Sequence, residues 1–355
     1  MRIAINTSPL SGGHTKRGIG GYTKHLIEAL QLYQPEHTYF FIDSSGPFPK
    51  EAELIHYPFF DPFFLTLPIY SPRPAIVTVH DLIPILFPQH FPKGVRGSIK
   101  WEIQKYALLR KERIITDSNS SKEDIQKIIG IKKDDIDVIP LASSLRIPEK
   151  KSRLENMTDR FGVHGEYFLY VGDVNWNKNI PGLLAAFASY KEHTAHKDKG
   201  KFVSLVLVGK AFLDEGLKET QEINRLCERY HIKEDVIRTG YVHDEDLVEL
   251  YARACALIQP SFYEGFGFPV LEALSCGCPV ICANTSSLKE IAGPSFMVDP
   301  ANFQSLAHGM RLVTTMNKKA REKRIAEGFE WAKQYTWKKV ADHTIRSYEK
   351  VLGKI

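Results

Sequence analysis

Short apolar runs and longer amphipathic stretches alternate along this chain. Ile3 and Ile5 alternate in a first strand, and Leu26, Ile27 and Leu30 then share one helical face. Runs rich in β-branched and aromatic residues predict further strands over 39–42, 75–79, 113–117, 137–141, 167–171, 202–208, 236–242, 256–258 and 280–283. Helical patterns fall between them: over 93–113, over 180–187, and from Asp244 with Leu247, Leu250, Tyr251 and Ala254 on one stripe. Ser120 with Glu123 fits a capping box, and Asp299-Pro300 fits a helix start. A tail with Trp331, Tyr335 and Trp337 reads as one or two helices over 329–352. The rhythm breaks once, in the charged stretch 149–165, so two domains are expected, 1–160 and 161–336. Strand–helix alternation in both predicts an α/β chain with two Rossmann-like, doubly wound parallel sheets.

The most informative stretch runs from Pro260 to Ile281. Gly265 and Gly267 bare the backbone after the strand ending at Ile258. Pro269 suits a first helical turn, Val270, Leu271 and Leu274 make an apolar face, and Gly277 with Pro279 ends it. A glycine loop feeding a helix N-terminus favours anions and polar hydroxyls. Glu264 and Glu272 flank it with seven residues between them. A strand–turn–helix carrying two surface acids has the same local pattern, so context decides.

That context begins with the loop 8–22, which holds Gly12, Gly13, Gly18, Gly20 and Gly21 with Lys16 and Arg17. With the following helix and the strand ending at Asp43 it roughly copies a dinucleotide fingerprint. The match fails because Thr23 stands where the third glycine belongs and the cluster starts too far from the strand. His80-Asp81 sits at the carboxyl end of the 75–79 strand, where ligands of open α/β sheets collect.

Composition narrows the picture further. The 355 residues are 43% hydrophobic and 25% charged, as in a soluble globular protein. The N-terminus has no signal-peptide pattern, no run is long enough to span a bilayer, and a cytoplasmic location is expected. Five cysteines, an odd number, argue against a disulfide framework. Cys276, Cys278 and Cys282 lack zinc spacing and read as buried apolar residues. From Lys93 to Arg113, seven basic residues against two acids carry a surplus equal to the whole chain's net +5. Trp101, Ile103, Tyr106 and Leu109 are interleaved, so contact with an anionic membrane is weighed against a solvated helix face.

The stretch 260–281 resembles the Glu-x7-Glu motif of retaining glycosyltransferases of family 4, which have the GT-B fold. Val79-His80-Asp81-Leu82-Ile83-Pro84 closely resembles the equivalent segment of mannosyltransferases in that family, and the 8–22 loop resembles its first glycine loop. The resemblance covers nearly the whole chain. It implies two domains facing across a cleft, with a C-terminal helix over about 337–355 crossing back to the first. It implies catalytic roles for His80, Lys178 and Glu264. It implies donor contacts at Gly20, Gly21, Asp81, Gly172, Asn179, Gly209, Val242, Gly265, Phe266, Gly267, Leu271 and Glu272. The implied donor is GDP-mannose, with a UDP-hexose as the alternative, and the acceptor a saccharide, free or lipid-linked. No cofactor, metal or nucleic-acid partner is expected. A dinucleotide-dependent oxidoreductase and a non-catalytic nucleotide-sugar binder are the rival classes. One departure stands out: Asn177-Lys178-Asn179 has Asn177 where many members carry Arg, which would leave phosphate neutralisation to Lys178.

Overall fold

The computed structural model describes residues 1–11, 18–43, 48–145, 160–195 and 203–354. Gly12, Gly13, Lys16 and Arg17, and residues 149–159 of the charged stretch, lie outside the described residues. The chain divides into two compact units, Met1–Ala142 with Tyr335–Ile355, and Ser143–Gln334. The first unit thus ends at Ala142, ahead of the 149–165 stretch.

The first unit holds a parallel sheet of β1 (Arg2–Asn6), β2 (Thr38–Ile42), β3 (Leu54–Tyr57), β4 (Ala75–Thr78), β5 (Arg113–Thr116) and β6 (Ile136–Val138), in the order β2-β1-β3-β4-β5-β6. β3 is absent from the sequence-based strands. Its four residues are all buried, but one of them is His56, which breaks the apolar run. The helix before β2 begins at Ile19, so Gly20 and Gly21 lie in its first turn rather than in a loop. The helix after β5, Asn119–Ile129, is capped by Ser118, whose hydroxyl accepts from the Ser121 N–H; this corrects the expected Ser120 box by two residues. The C-terminal helix Trp337–Val351 belongs to this unit. It packs on Ile19–Tyr33 and is tied down by Ser347 and Lys350, both donating to Asp137 at 2.7 Å.

The second unit repeats the plan with β7 (Glu166–Val171), β8 (Val203–Val208), β9 (Val236–Gly240), β10 (Ala256–Gln259), β11 (Val280–Ala283) and β12 (Phe296–Val298). Its order is β12-β11-β10-β7-β8-β9, again all parallel. All six residues of β8 are buried, as expected for a parallel strand covered by helices on both faces. β8 and β9 build outward from one side of β7, and β10 to β12 from the other. The strand order therefore reverses between β7 and β10, and open α/β sheets bind ligands at the carboxyl ends on either side of such a reversal. The helix expected from Asp299 starts at Phe303, with Asn302 as its cap. The five cysteines are free, and burial raises the thiol of Cys278 to about 12, so it packs as an inert apolar group. Among the described residues no helix is long and apolar enough to cross a membrane.

Candidate functional site

The loops leaving β7 and β10, on either side of the reversal, carry the most elaborate polar cluster of the second unit. Glu264 follows β10 and is only 6% exposed. A carboxylate taken out of water needs a counter-charge and several donors, and Glu264 has them. Lys178, at the end of a single 3-10 turn after β7, donates to Oε1 and Oε2 at 2.9 and 2.8 Å. Gln259 Nε2 and Ser261 Oγ donate to Oε1 at 2.8 and 2.7 Å. The loop backbone is fixed in turn: the Glu264 N–H donates to Ser286 Oγ, and the Ser287 hydroxyl reaches the Glu264 and Phe266 carbonyls. Lys178 is therefore already paired to Glu264. An ammonium has three donors, two of which Glu264 engages.

The neighbours of Lys178 in the sequence hold the turn. Asn177 is buried, and its amide donates to the Tyr263 carbonyl at 3.0 Å. Its backbone carbonyl accepts from the Phe262 N–H, so Asn177 joins the β7 loop to the β10 loop. The side chain of Asn179, expected at the donor, is bonded within the chain. Its amide donates to the Pro260 and Pro300 carbonyls, its Oδ1 accepts from the Gly182 N–H, and its φ of 54° reverses the chain into the next helix. With both amide hydrogens used and 4% exposure, its side chain has no donor left.

Gly267 caps the helix Phe268–Ser275 at φ 99°, where a Cβ would sit 2.5 Å from Leu288 Cδ2. Only glycine meets both conditions. Gly265 and Phe266 lie buried just before it. Glu272 is the fifth residue of that helix, so it stands in the second turn and not the first as expected. Its Oε2 accepts from the Tyr251 hydroxyl at 2.8 Å, and Tyr251 is fully buried. Leu271 and Val242 are buried side chains of the core, so neither offers a side-chain contact. Gly172 and Gly209 follow β7 and β8. A Cβ on Gly209 would fall 2.0 Å from the Gly172 carbonyl oxygen, so the two loop backbones touch. The Gly209 N–H donates on to Gly240, at the end of β9.

In the first unit, β4 and β5 pair with Thr78 beside Ile115. Two residues on, the same register sets His80 next to Asp117. His80 Nδ1 and Asp117 Oδ2 are 2.6 Å apart, and Asp117 is 3% exposed. Burial pulls the His80 pKa down, but the charge and hydrogen bond of Asp117, with a further pull from Asp81, outweigh it and leave the pKa raised. The Tyr22 ring meets His80 edge-on at 4.7 Å, which brings the helix start at Gly20 and Gly21 to the same place. His80 Nε2 is buried and faces the backbone of Pro58, which adds to the upward pull on the pKa. Asp81 caps the next short helix by accepting from the Ile83 N–H.

Behind His80 runs a wholly buried polar chain. Tyr22 Oη meets Thr78 Oγ1 at 3.1 Å, Thr78 meets His56 Nε2 at 2.8 Å, and His56 Nδ1 meets Tyr348 Oη at 2.8 Å. Burial, reinforced by the nearby His80, lowers His56 to about 3, so it is a neutral link. Asp117, Tyr251, Gln259 and Ser261 escaped the sequence reading. Asp117 carried a signal, since it too ends a strand; its pairing with His80 depends on which strands are neighbours.

Residues 20–142 match Glycosyltransferase Family 4, and residues 160–331 match Glycosyl transferases group 1. The O-antigen chain mannosyltransferase B of Escherichia coli is 33% identical over 279 residues, 78% of this chain and 70% of that protein. The serotype-specific mannosyltransferase WbdA of E. coli is 25% identical over 301 residues, 82% of this chain but 35% of WbdA, so this chain spans about a third of that relative. Among solved structures, sucrose-phosphate synthase from Thermosynechococcus elongatus superposes over 100% of both chains with TM-score 0.75 at 18% identity. Anabaena HepE superposes over 99% of this chain and 100% of its own with TM-score 0.73 at 17% identity. Two doubly wound parallel sheets, with a glycine loop and paired acids at the reversal point of the second, define a glycosyltransferase of the GT-B class. The chain belongs to glycosyltransferase family 4, the glycosyl transferases group 1.

Proposed function

We propose that this protein is a retaining, metal-independent mannosyltransferase that uses GDP-mannose and a saccharide acceptor, free or lipid-linked, on the cytoplasmic side. The observation that carries the reading is the Lys178–Glu264 pair at the β7/β10 reversal, with Glu272 on the helix that follows the Glu264 loop. The mannosyltransferases among the relatives favour mannose as the sugar. In this reading Glu272 takes the ribose hydroxyls, and Glu264 and the loop from Gly265 to Gly267 take sugar hydroxyls and diphosphate. The bond from the anomeric carbon to the phosphate oxygen breaks, and its electron pair stays on that oxygen. Lys178 and the helix N-terminus stabilise the growing charge. The acceptor hydroxyl attacks the same face of the sugar, and its proton passes to the departing phosphate, so configuration is retained.

Calorimetric titration with GDP-mannose, GDP and UDP-glucose tests the donor assignment. GDP-mannose is expected to bind at least about tenfold more tightly than UDP-glucose, a difference of roughly 1.4 kcal/mol. Glu272→Ala should weaken GDP-mannose by about 10–100-fold, the loss of one hydrogen bond to a charged group. Glu272→Gln keeps an acceptor for the Tyr251 hydroxyl and separates that loss from misfolding. Tighter binding of UDP-glucose would replace the donor, and binding of neither sugar nucleotide would remove the reading.

A further inference from the structure

We propose that the first unit carries a membrane-docking face, built from one side of the helix Gly94–Leu109 and the tip of the preceding loop, that takes an anionic bilayer surface. The proposal stands apart from the transferase reading, because it uses none of the residues assigned to the donor.

The helix has two apolar faces. Trp101, Gln104 and Leu108 are buried against the unit. Val95, Ile99, Ile103, Tyr106 and Leu109 recur at intervals of three and four and are all exposed, Val95 at 79%. At 100° per residue they fall on the side opposite the buried face, with one exposed acid, Glu102, among them. A soluble helix normally turns polar residues outward, and a continuous exposed apolar patch marks an interaction surface.

The preceding loop adds exposed apolar side chains and meets the stripe through Arg110, which lies near both Tyr70 and Tyr106. Phe64 and Leu65 are 62% and 61% exposed, and Tyr70 is more so. This tip is held in place. The buried Gln104 side chain accepts from the Thr66 N–H and hydroxyl and from the Leu67 N–H, and it donates to the Leu67 carbonyl. Lys111 donates to the Pro68 carbonyl and the Ser71 hydroxyl. A buried amide and a lysine thus fix a loop whose apolar tip faces water.

Charge selects the occupant. Arg96 and Lys100 flank one side of the stripe and Lys105 the other, by helical spacing. The cations sit on the aromatics: Lys100 lies 5.1 Å from the Phe64 ring centre, and Arg110 lies 4.8 Å from Tyr70 and 5.6 Å from Tyr106. A second copy of the chain would bring the same basic face against this one, and like charges oppose such a contact. An anionic bilayer accepts both features, since its headgroups take the cations and its boundary layer takes the aromatic and aliphatic side chains.

Co-sedimentation of the full chain with vesicles of phosphatidylcholine alone, or of phosphatidylcholine with phosphatidylglycerol, tests this. At low salt, partitioning into the anionic vesicles should be at least about tenfold stronger, and high salt should erase the difference. Phe64→Ser with Ile99→Ser should cut anionic partitioning about 10–100-fold through lost apolar contact. Arg96→Glu with Lys100→Glu should erase the preference for anionic vesicles. Melting temperatures of both variants, expected to match the parent, show that they fold. Equal partitioning into both vesicle types, no partitioning at all, or full binding by both folded variants would overturn the proposal. So would a dimer in sedimentation that Ile99→Ser disperses while vesicles bind nothing.

Discussion

Lys178→Ala is expected to lower kcat by about 10²–10³-fold, the scale set by removing one preorganised group from a developing charge. Charge grows on the leaving phosphate as the sugar–phosphate bond breaks, so a cation there acts on the transition state more than on the ground state. Lys178 is the full positive charge that the site geometry supplies at the β7/β10 reversal, and Asn177 cannot replace it because its amide is committed to Tyr263. The pairing with Glu264 sharpens the expectation in two ways. The carboxylate holds the ammonium by two contacts of 2.9 and 2.8 Å, so little is lost in orienting it when substrate arrives. Removing the lysine also leaves the Glu264 carboxylate buried with only neutral donors, Gln259 and Ser261. Because Lys178 is itself 21% exposed, water softens that penalty, and a stability loss of about 1–3 kcal/mol is expected. Lys178→Ala with Glu264→Gln should recover most of the stability and none of the activity, which separates the two roles. Steady-state kinetics and thermal melts of the single and double variants check this. Near-parental kcat in folded Lys178→Ala would transfer the phosphate role to another cation, with exposed Lys210 after β8 the next candidate.

Asp117→Asn is expected to change stability in a pH-dependent way with a fixed sign. The amide keeps the shape and an acceptor for His80 but loses the charge that raises its pKa. A histidine whose folded pKa lies above its unfolded value stabilises the fold when protonated. That contribution is complete below the unfolded value, about 6.5, and is lost as pH rises through the folded one. The parent should therefore exceed Asp117→Asn by about 1.5–3 kcal/mol near pH 5.5, the worth of a hydrogen bond between charged groups. The gap should shrink as pH rises through the folded value. In a unit of this size it amounts to about 3–12 °C in Tm at the acid end. A gap that widens with pH would mean that His80 is held neutral. Activity should fall as well, since Asp117 sets which His80 nitrogen bears the proton and so what Nε2 presents.

These two sites differ in how far the sequence exposed them. Glu264, the glycines and Glu272 lie in one short segment, and their spacing survives without any knowledge of the fold. Lys178 was recognisable only by resemblance, because its partner is 86 residues away. His80 and Asp117 were both legible as residues ending strands, yet their contact follows from β4 lying beside β5. β12 is only three residues long and gives no periodicity to read. The internal bonds of Asn179 to Pro260 and Pro300 were hidden because those carbonyls lie 81 and 121 residues away. The loop reading of Gly20 and Gly21 failed because the helix starts at Ile19, ahead of the first apolar face residue Leu26. Local chemistry was thus readable where one segment contains it, and hidden where β-sheet neighbours or long-range caps assemble it.

The central claim, retaining transfer from GDP-mannose without a metal, is tested most directly by proton NMR of the product formed in EDTA. The reaction is run with GDP-mannose and whichever member of a saccharide panel turns over. The expected result is release of GDP and a new α-mannoside, the configuration of the donor, at a rate unchanged by chelation. A β-mannoside, activity lost in EDTA and restored by a divalent cation, or no turnover with any acceptor would contradict it.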